Sequence, residues 1–313
     1  MKDKIYTLFF SPFELFSKCP QRFLWSRGWG NIDVGGGPGK KKPLPKRTSD
    51  HHKIMGIVIQ AVIERMYNDR LWDLYKGQGE AFKEMLLHLT DRLFEEELAK
   101  ASTYIPWGSF GVLSRDEMRQ VCHDGVLGYL KTMKKNSLMG TYMRAEVDLL
   151  GYVDKYTPIG GRADLIIKRP DTGVTILDGK NSASKGKYTT PDQLRWYALC
   201  FKLAYNRYPD RLGFVYYRYP ADGEEESGID WVEFTEDQIQ DLAHRAIEAR
   251  RSMHFEKFDP KPEASVCRLC DYEAVCEARQ MQKNGRKKKA TKELDQKFSD
   301  ANGAAVIELS LDD

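Results

Sequence analysis

The sequence has no long apolar run and few cysteines. No stretch of about 18 apolar residues occurs, so no membrane-spanning helix is predicted. The first ten residues are mixed and lack the apolar region and small-residue cleavage site of a signal peptide. We therefore expect a cytoplasmic protein without a membrane partner, in which clustered thiols bind metal more readily than they form disulfides.

A strong charge of either sign is also missing. The chain has 49 Lys and Arg against 46 Asp and Glu, a formal net charge of +3 over 313 residues. This balance does not by itself predict a nucleic-acid-binding protein, so any such surface must come from local basic patches. The length and the 41% hydrophobic content suit one elaborated domain or two small ones.

A phosphate-binding loop is absent as well. The glycine-rich run Gly35–Lys41 has the wrong spacing, no Ser or Thr directly follows its lysines, and no strand precedes it. Residues 28–53 are instead predicted to form a flexible loop. The sequence therefore predicts no nucleotide-binding site of the phosphate-loop type.

The pattern that is present predicts an α/β fold. Apolar residues three and four apart predict helices, and alternating patterns predict strands after residue 141. The predicted helices are Ser11–Arg27, Ile54–Tyr75, Gly79–Lys100, Arg115–Lys134, Pro191–Tyr205 and a helix capped by Thr235 that runs to His254. The predicted strands are Met143–Lys155, Ile159–Arg169, Val174–Gly179, Leu212–Tyr219 and Ile229–Phe234. The segments are an N-terminal helix (1–27), the loop (28–53), a helical region (54–140), an α/β core (141–258), a cysteine segment (259–279) and a disordered tail (280–313).

Two neighbouring predicted strands carry the clearest enzymatic chemistry. Asp164 lies on one, and Asp178 and Lys180 end the next. Because residues two apart on a strand share a face, Asp178 and Lys180 point the same way, and the hairpin brings Asp164 beside them. Two carboxylates are hard ligands for Mg²⁺ or Mn²⁺, and a lysine can position water for phosphodiester hydrolysis. Taken alone, the Asp178–Lys180 pair is also typical of a solvated hairpin rim.

A short loop later, Gln193 and Tyr197 lie four residues apart and share one face of a helix. Such a pair is by itself ordinary helix surface. The ordered series Gly-x-x-Asp, Asp-x-Lys and Gln-x-x-x-Tyr, however, resembles the RecB-like nuclease domains of the PD-(D/E)XK superfamily. That group includes the AddB nuclease and the CRISPR-associated RecB-like exonucleases, and the resemblance extends from Ser11 to Glu277.

The resemblance implies a restriction-endonuclease-like fold: a mixed central sheet flanked by helices, with an N-terminal helical insertion and a C-terminal iron–sulfur segment. It implies that Asp164, Asp178 and the Gly179 carbonyl bind Mg²⁺ or Mn²⁺. Lys180 would be the catalytic lysine, and Gln193 and Tyr197 would line the cleft.

The activity that the resemblance implies is a metal-dependent deoxyribonuclease. An exonuclease on single-stranded DNA or DNA ends is favoured over an endonuclease, in DNA repair and recombination, phage DNA processing or defence. The alternative is a weak or inactive DNA-binding subunit of a helicase–nuclease or defence complex.

One position departs from the family. RecB-like nucleases carry Gly-x-x-x-His on an early helix, where the histidine binds metal, whereas this sequence has Gly56 followed four residues later by Gln60. The carbonyl of Gln60 is a hard neutral oxygen, so Gln60 is a further candidate metal ligand. His51 and His52 are expected in an exposed loop before this helix and are not expected to replace the missing imidazole.

Four of the six cysteines form a pattern of their own. Cys267, Cys270 and Cys276 have C-x2-C-x5-C spacing, and Cys19 is the candidate fourth ligand. The spacing favours zinc and an iron–sulfur cluster equally.

The resemblance favours iron–sulfur. It implies that these four cysteines hold a [4Fe–4S] cluster that joins the two ends of the chain. Cys122 and Cys200 lie in predicted helices and are expected in the core.

Basic residues surround the predicted cleft. Arg162, Lys185, Lys187 and Arg195 are candidates for DNA contacts, and the Ser182–Thr190 loop is predicted to be flexible. These charges are equally typical of a solvated loop. Three tyrosines near the end of a predicted strand are expected to pack in the core: Tyr216, Tyr217 and Tyr219.

Overall fold

The computed structural model describes residues 7–27, 51–74, 79–101, 105, 111–138, 142–186, 189–219, 228–268, 270–285 and 293. Most of the predicted loop (28–53) and tail (280–313) lies outside these residues, as does Lys187. The chain divides into two compact units, residues 1–10 with 45–250 and residues 11–44 with 251–313.

The first unit is built on a mixed sheet. Within the described residues, six strands are present: β1 (Leu8–Phe9), β2 (Tyr142–Tyr152), β3 (Pro158–Arg169), β4 (Gly173–Lys180), β5 (Arg211–Tyr216) and β6 (Ile229–Val232). The order is β1, β3, β4, β5, β6, and β2 also pairs with β3. The β1–β3 and β4–β5 pairs are parallel, and the others are antiparallel.

Helices precede and follow these strands. They are α3 (His51–Asn68), α4 (Leu71–Leu74), α5 (Gly79–Ala101) and α6 (Arg115–Lys135) before β2, α7 (Pro191–Tyr205) between β4 and β5, and α8 (Glu236–His254) after β6. Ser114 and Glu117 form a capping box at the start of α6. Thr235 Oγ1 accepts from the N–H of Gln238 at 3.3 Å, which confirms Thr235 as the cap of α8.

One apolar cluster joins α3, α5 and α6 to the sheet. Met55, Val58 and Ile59 of α3 are fully buried in it. Burial of each such side chain contributes about 1.5–3 kcal/mol. This packing holds α3 against β2, which it contacts directly.

The mixed sheet with flanking helices confirms the predicted α/β class. The helix Pro191–Tyr205 is confirmed at both ends, and Cys122 and Cys200 are buried as predicted. The single helix Ile54–Tyr75 is wrong, because the chain turns at Arg70, whose φ is +57°.

The loop expected at His51 and His52 is also wrong, whereas the exposure expected of His52 is confirmed. Both residues lie in the first turn of α3, and His51 is buried. His51 lies three and four residues before the buried Ile54 and Met55, so it continues the buried face of α3.

The second unit contains short helices from both ends of the sequence. They are α1 (Phe10–Lys18, from Ser11 onward), α2 (Pro20–Arg27), α9 (Ala264–Arg268), a 3-10 helix (Glu273–Val275) and residues 277–285. Phe258 packs on Phe16 and Phe23, with ring centroids 6.2 and 6.4 Å away.

Two predictions for this unit are wrong. The single helix Ser11–Arg27 is interrupted at Cys19, because Pro20 disfavours helical backbone in the residue before it. The disordered tail does not begin at residue 280, since helix continues to residue 285 and Gln282 donates to the Pro262 carbonyl at 2.6 Å. Among the described helices, none has the length and apolar character needed to cross a membrane.

Candidate active site

Three carboxylates lie next to one another on neighbouring strands. Glu146 lies opposite Asp164, between two paired positions of β2 and β3. Asp178 lies beside Asp164, one position beyond the last pair of β3 and β4. Directly opposed residues of adjacent strands share a face of the sheet, so the backbone brings all three side chains together.

Asp164 is the centre of this row. Its Oδ2 accepts a 2.8 Å hydrogen bond from the backbone N–H of Gly179. Burial and the negative charge of Asp178 raise the pKa of Asp164 well above its usual range, whereas the Gly179 N–H and Lys180 act in the opposite direction. A buried carboxylate beside a second carboxylate favours a bound cation or a proton.

Asp178 and Lys180 form a buried ion pair. Asp178 is 2% exposed, and burial raises its pKa although Lys180 acts in the opposite direction. Lys180 Nζ lies 2.5 Å from Asp178 Oδ2 but without hydrogen-bond geometry. Gln193 bridges the pair, since its Nε2 donates to Asp178 Oδ1 at 2.7 Å and its Oε1 accepts from Lys180 at 3.0 Å. The pair is therefore not a solvated hairpin rim.

Two glycines of β3 place α7 over the site. Trp196 Nε1 donates to the Gly160 carbonyl at 2.9 Å. A Cβ on Gly161 would come within 2.9 Å of the Tyr197 ring, so the missing side chain gives this ring its space. Tyr197 Oη lies 3.4 Å from Gln193 Nε2, and burial raises the pKa of the Tyr197 hydroxyl. Tyr197 and Gln193 thus both lie beside Asp178, in agreement with their predicted grouping.

Glu146 completes the row, and sequence reasoning missed it. Its φ of +52° lies in the left-handed region, which is uncommon for glutamate. Its side chain, 20% exposed, lines one pocket with Asp164 and Gly179. The available signal was the alternation of Arg144, Glu146 and Asp148 with apolar residues along the strand.

Gln60 reaches the same pocket from α3. Its Nε2 donates to Glu146 Oε1 at 2.8 Å, and its Oε1 accepts from the Tyr217 hydroxyl. The amide nitrogen, and not the oxygen, therefore faces the carboxylates. These hydrogen bonds do not favour the predicted role of Gln60 as a metal ligand.

The pocket has a volume of about 550 Å³ and is lined by α3, Glu146, Asp164, Gly179, Asn181 and Tyr217. Among the described residues, no group of three or more His, Cys, Asp or Glu side chains is arranged to hold a metal ion. The donor chemistry still fits a hard cation. Asp178 Oδ2 is buried and accepts no hydrogen bond, and the single charge of Lys180 only partly offsets the like charges of Asp164 and Asp178.

The profile of the PD-(D/E)XK nuclease superfamily matches residues 9–277, a span that includes all three carboxylates and Lys180. The chain belongs to this superfamily. PD-(D/E)XK nucleases use divalent metals such as Mg²⁺ or Mn²⁺, so the coarse function is that of a metal-dependent nuclease.

No curated protein matches the chain. One solved structure, "Crystal structure of SSO0001", is 17% identical to this PD-(D/E)XK chain. The match covers 52% of this chain and 78% of that chain, with a TM-score of 0.31.

Two of the predicted DNA-contacting residues of this PD-(D/E)XK domain lie near polar or aromatic partners. Arg162 Nε lies 2.8 Å from Asp148 Oδ1, and the Arg162 side chain is 59% exposed. Lys185 Nζ lies 5.0 Å from the centroid of the Tyr219 ring. Both cations remain at the surface of the nuclease unit.

The other two predicted DNA-contacting residues differ from these. Arg195 pairs with Asp192 at 3.1 Å, and only 20% of its side chain is exposed. Most of its guanidinium is therefore engaged within the protein. Lys187 lies outside the described residues.

The second unit of this PD-(D/E)XK protein brings the four predicted cysteines to one small pocket. Cys19 follows α1, Cys267 lies in α9, and Cys270 and Cys276 lie on either side of the 3-10 helix. Gln21 Oε1 lies 3.6 Å from Cys276 Sγ, the distance of a weak S–H hydrogen bond.

The thiols of this pocket influence one another. Burial raises the pKa of Cys267 and of Cys270, and the nearby Cys19 acts in the same direction. Arg279 and Arg22 act in the opposite direction on Cys267 and Cys270. Several thiols that oppose one another's ionisation fit a positively charged metal centre, which stabilises thiolates.

Proposed function

We propose that the protein is a deoxyribonuclease of the RecB-like group that hydrolyses phosphodiester bonds with Mg²⁺ or Mn²⁺. One observation carries the proposal: carboxylates on β2, β3 and β4 lie beside a lysine in the Asp-x-Lys spacing. Glu146, Asp164 and Asp178 would bind the ion together with the Gly179 carbonyl. A bound ion would polarise the phosphoryl oxygen and lower the pKa of a water molecule.

Lys180 is the residue that would position the attacking water. Its ammonium is held between Asp178 and Gln193, and it lies 5.2 Å from the centroid of the Phe214 ring. The side chain is 18% exposed, and its two partners restrict its motion. A restrained cation stabilises developing negative charge without reorganisation during the reaction.

A groove along β2 supports an exonuclease that acts on single strands or DNA ends. It has a volume of about 1110 Å³, and its lining includes Trp72, Arg144, Tyr205 and Glu146. Glu146 also lines the pocket with Asp164, so a strand in the groove would reach the carboxylates. Trp72 and Tyr205 suit stacked bases, while the two arginines of the lining, Arg70 and Arg144, are offset by Asp73, Glu146 and Asp148.

The proposal also includes DNA contacts by four basic residues. Arg162 Nε lies 3.8 Å from Glu146 Oε2, which supports a DNA contact beside the carboxylates. We also propose Lys185, Lys187 and Arg195 as DNA contacts. Unwound DNA would come from a cytoplasmic helicase or recombination partner, in repair, phage DNA processing or defence.

A second candidate is a non-enzymatic DNA-binding subunit of a larger complex. The observation that favours it is Gln60, which stands where RecB-like nucleases carry a metal-binding histidine and which faces the carboxylates with its nitrogen. The neighbouring Asp178–Lys180 pair favours the enzyme.

A digestion assay separates the two candidates. End-labelled single-stranded, blunt duplex and closed circular DNA would be incubated with Mg²⁺, Mn²⁺ or EDTA. We expect degradation of the linear substrates with metal, no degradation in EDTA, and no degradation by Asp178→Asn. DNA binding without cleavage under all conditions would favour the non-enzymatic subunit.

We further propose that Cys19, Cys267, Cys270 and Cys276 hold a [4Fe–4S] cluster. Zinc needs four sulfur atoms about 2.3 Å from one ion, whereas in a cluster each cysteine binds a different iron. The four thiols line one pocket, and the resemblance to iron–sulfur nucleases favours the cluster over zinc at this site. The cluster would crosslink distant parts of the sequence, and its role would be mainly structural.

A further inference from the structure

Three side chains from different elements form a series of hydrogen bonds at the carboxylate row: Tyr217, Gln60 and Glu146. Gln60 of α3 donates from Nε2 to Glu146 Oε1 at 2.8 Å. Tyr217, just after β5, donates its hydroxyl to Gln60 Oε1. Tyr217 is 3% exposed, so this set begins in the core and ends in the pocket.

The chemistry of the partners determines the orientation of the Gln60 amide. An ionised carboxylate only accepts hydrogen bonds, so the nitrogen of Gln60 must face Glu146. The Gln60 oxygen then points to the opposite side, where the Tyr217 hydroxyl donates to it. The lone pairs of Gln60 therefore face Tyr217.

Glu146 requires stabilising contacts because its backbone is in an unfavourable conformation. The left-handed φ of +52° in the middle of a strand is stable only when surrounding contacts enforce it. Asn68, at the end of α3, donates from Nδ2 to the Ala145 carbonyl at 3.2 Å and accepts from the Ala145 N–H at 3.3 Å. One helix thus holds both the backbone before Glu146 and its carboxylate.

Gly179 makes the position of Tyr217 possible. A Cβ at Gly179 would overlap the Tyr217 hydroxyl oxygen. The residue between Asp178 and Lys180 must therefore lack a side chain if Tyr217 is to reach Gln60. The glycine of the Asp-x-Lys motif therefore leaves the space that the Tyr217 hydroxyl fills.

We propose that Gln60 is a positioning residue and not a metal ligand: with Tyr217 it holds the carboxylate of Glu146 beside Asp164, so that glutamate completes the divalent-metal site. This inference rests on the proposed metal-dependent nuclease function. The ligand set is then three carboxylates with the Gly179 carbonyl, and these hard oxygen donors favour Mg²⁺ and Mn²⁺ over softer ions.

The two roles of Gln60 predict opposite effects for Tyr217→Phe. If Gln60 binds metal through Oε1, loss of the Tyr217 hydroxyl frees that oxygen, and Mn²⁺ affinity stays equal or increases. If Gln60 positions Glu146, the amide loses its anchor and Mn²⁺ affinity falls by about 10- to 100-fold, as for other residues that orient metal ligands. Mn²⁺ binding to the full chain would be measured by electron paramagnetic resonance and calorimetry.

Tyr129→Phe is the matched control. Tyr129 is 1% exposed, donates to or accepts from Tyr67 at 2.7 Å, and packs 5.9 Å from the Tyr217 ring, but it does not contact the carboxylates. We expect it to lower the melting temperature without changing Mn²⁺ affinity. A loss of affinity in Tyr217→Phe that Tyr129→Phe does not share excludes a general packing defect.

Gln60→Ala keeps the inference testable if Tyr217→Phe does not fold, because Gln60 is partly exposed. It should lose the same affinity, and adding Tyr217→Phe to it should cause no further loss. Unchanged or tighter Mn²⁺ binding in Tyr217→Phe, or unchanged binding in Gln60→Ala, with normal binding by the wild type, overturns the positioning role alone. Absence of Mn²⁺ binding and cleavage by the wild type overturns the proposed nuclease function as well.

Discussion

The carboxylate site of the first unit and the thiol pocket of the second are organised by different means. At the carboxylate site, hydrogen bonds of 2.7–2.8 Å from Gly179, Gln193 and Gln60 hold the acidic oxygens. In the thiol pocket, the contact of Cys276 with Gln21 is 3.6 Å long, and sulfur is a weak hydrogen-bonding atom. The chain itself organises the first site more strongly than the second.

The difference indicates what each metal contributes. Hydrogen bonds keep the carboxylates in place without a cation, so removal of divalent metal should abolish cleavage and leave the fold intact. The thiol pocket joins segments that are far apart in sequence, so removal of its metal should weaken the fold. The following experiments test this contrast.

The largest effect is expected for cleavage by Asp178→Asn. The amide keeps the size of the carboxylate but removes a charged metal ligand, so cleavage should fall by about 10³-fold or more at saturating Mn²⁺. The measurement is single-turnover digestion of linear DNA. Asp171→Asn, in the exposed turn of the same hairpin, is the control and should cleave normally. Equal rates for the two variants would contradict the assignment of the site.

Cys19→Ser should have the next largest effect, this time on folding. Anaerobically purified wild-type protein should be brown and contain about four irons per chain, and the variant should lose both properties. Loss of the long crosslink should lower the free energy of unfolding by about 4–5 kcal/mol if disulfide-loop arithmetic applies. Cys122→Ser should retain full colour. Colourless wild-type protein that contains one zinc would contradict the iron–sulfur cluster but not the four cysteine ligands. Full iron content in Cys19→Ser would exclude Cys19 as a ligand.

A smaller loss of activity is expected for Gln193→Leu. The substitution removes the bridge between Asp178 and Lys180 while their ion pair remains, so kcat should fall about 10- to 100-fold with little change in KM. Steady-state kinetics on single-stranded DNA would measure it. An effect confined to KM would instead identify Gln193 as a substrate contact.

The smallest effect is a gain of stability in Asp164→Asn without metal. The pKa of Asp164 is raised in the folded protein, so the folded state binds its proton more tightly than the unfolded chain does. The stability of the wild type should therefore decrease as pH rises from about 4 through the raised pKa, and this decrease should be smaller in the variant.

At neutral pH in EDTA, Asp164→Asn should melt about 2–4 °C higher than the wild type, which corresponds to about 1 kcal/mol. The amide oxygen of the substituted side chain can still accept from the Gly179 N–H, so the variant keeps this hydrogen bond. Melting curves across this pH range, with and without Mn²⁺, would test it. A lower melting temperature at neutral pH would mean that Asp164 is stabilised as an ion without a cation.

The sequence by itself determined the elements and the order of the acidic residues. Period-two alternation along the two strands of one hairpin places Asp164 beside Asp178, because this signal acts over a few residues. Helical spacing likewise places Gln193 and Tyr197 on one face. The α/β class and the core positions of Cys122 and Cys200 follow from the same local patterns.

Only the tertiary structure decided how these parts combine. Glu146 joins the site because the register of β2 against β3 places it opposite Asp164, and register depends on packing across strands. The Gln60 amide turns its nitrogen to the pocket because Tyr217, distant in sequence, occupies the space that Gly179 leaves open. Cys19 lines a pocket with cysteines from the other end of the chain because the segments that carry them fold into one unit. Residue types and short-range spacing are properties of a local segment, whereas side-chain orientation is set by neighbours that only folding brings together.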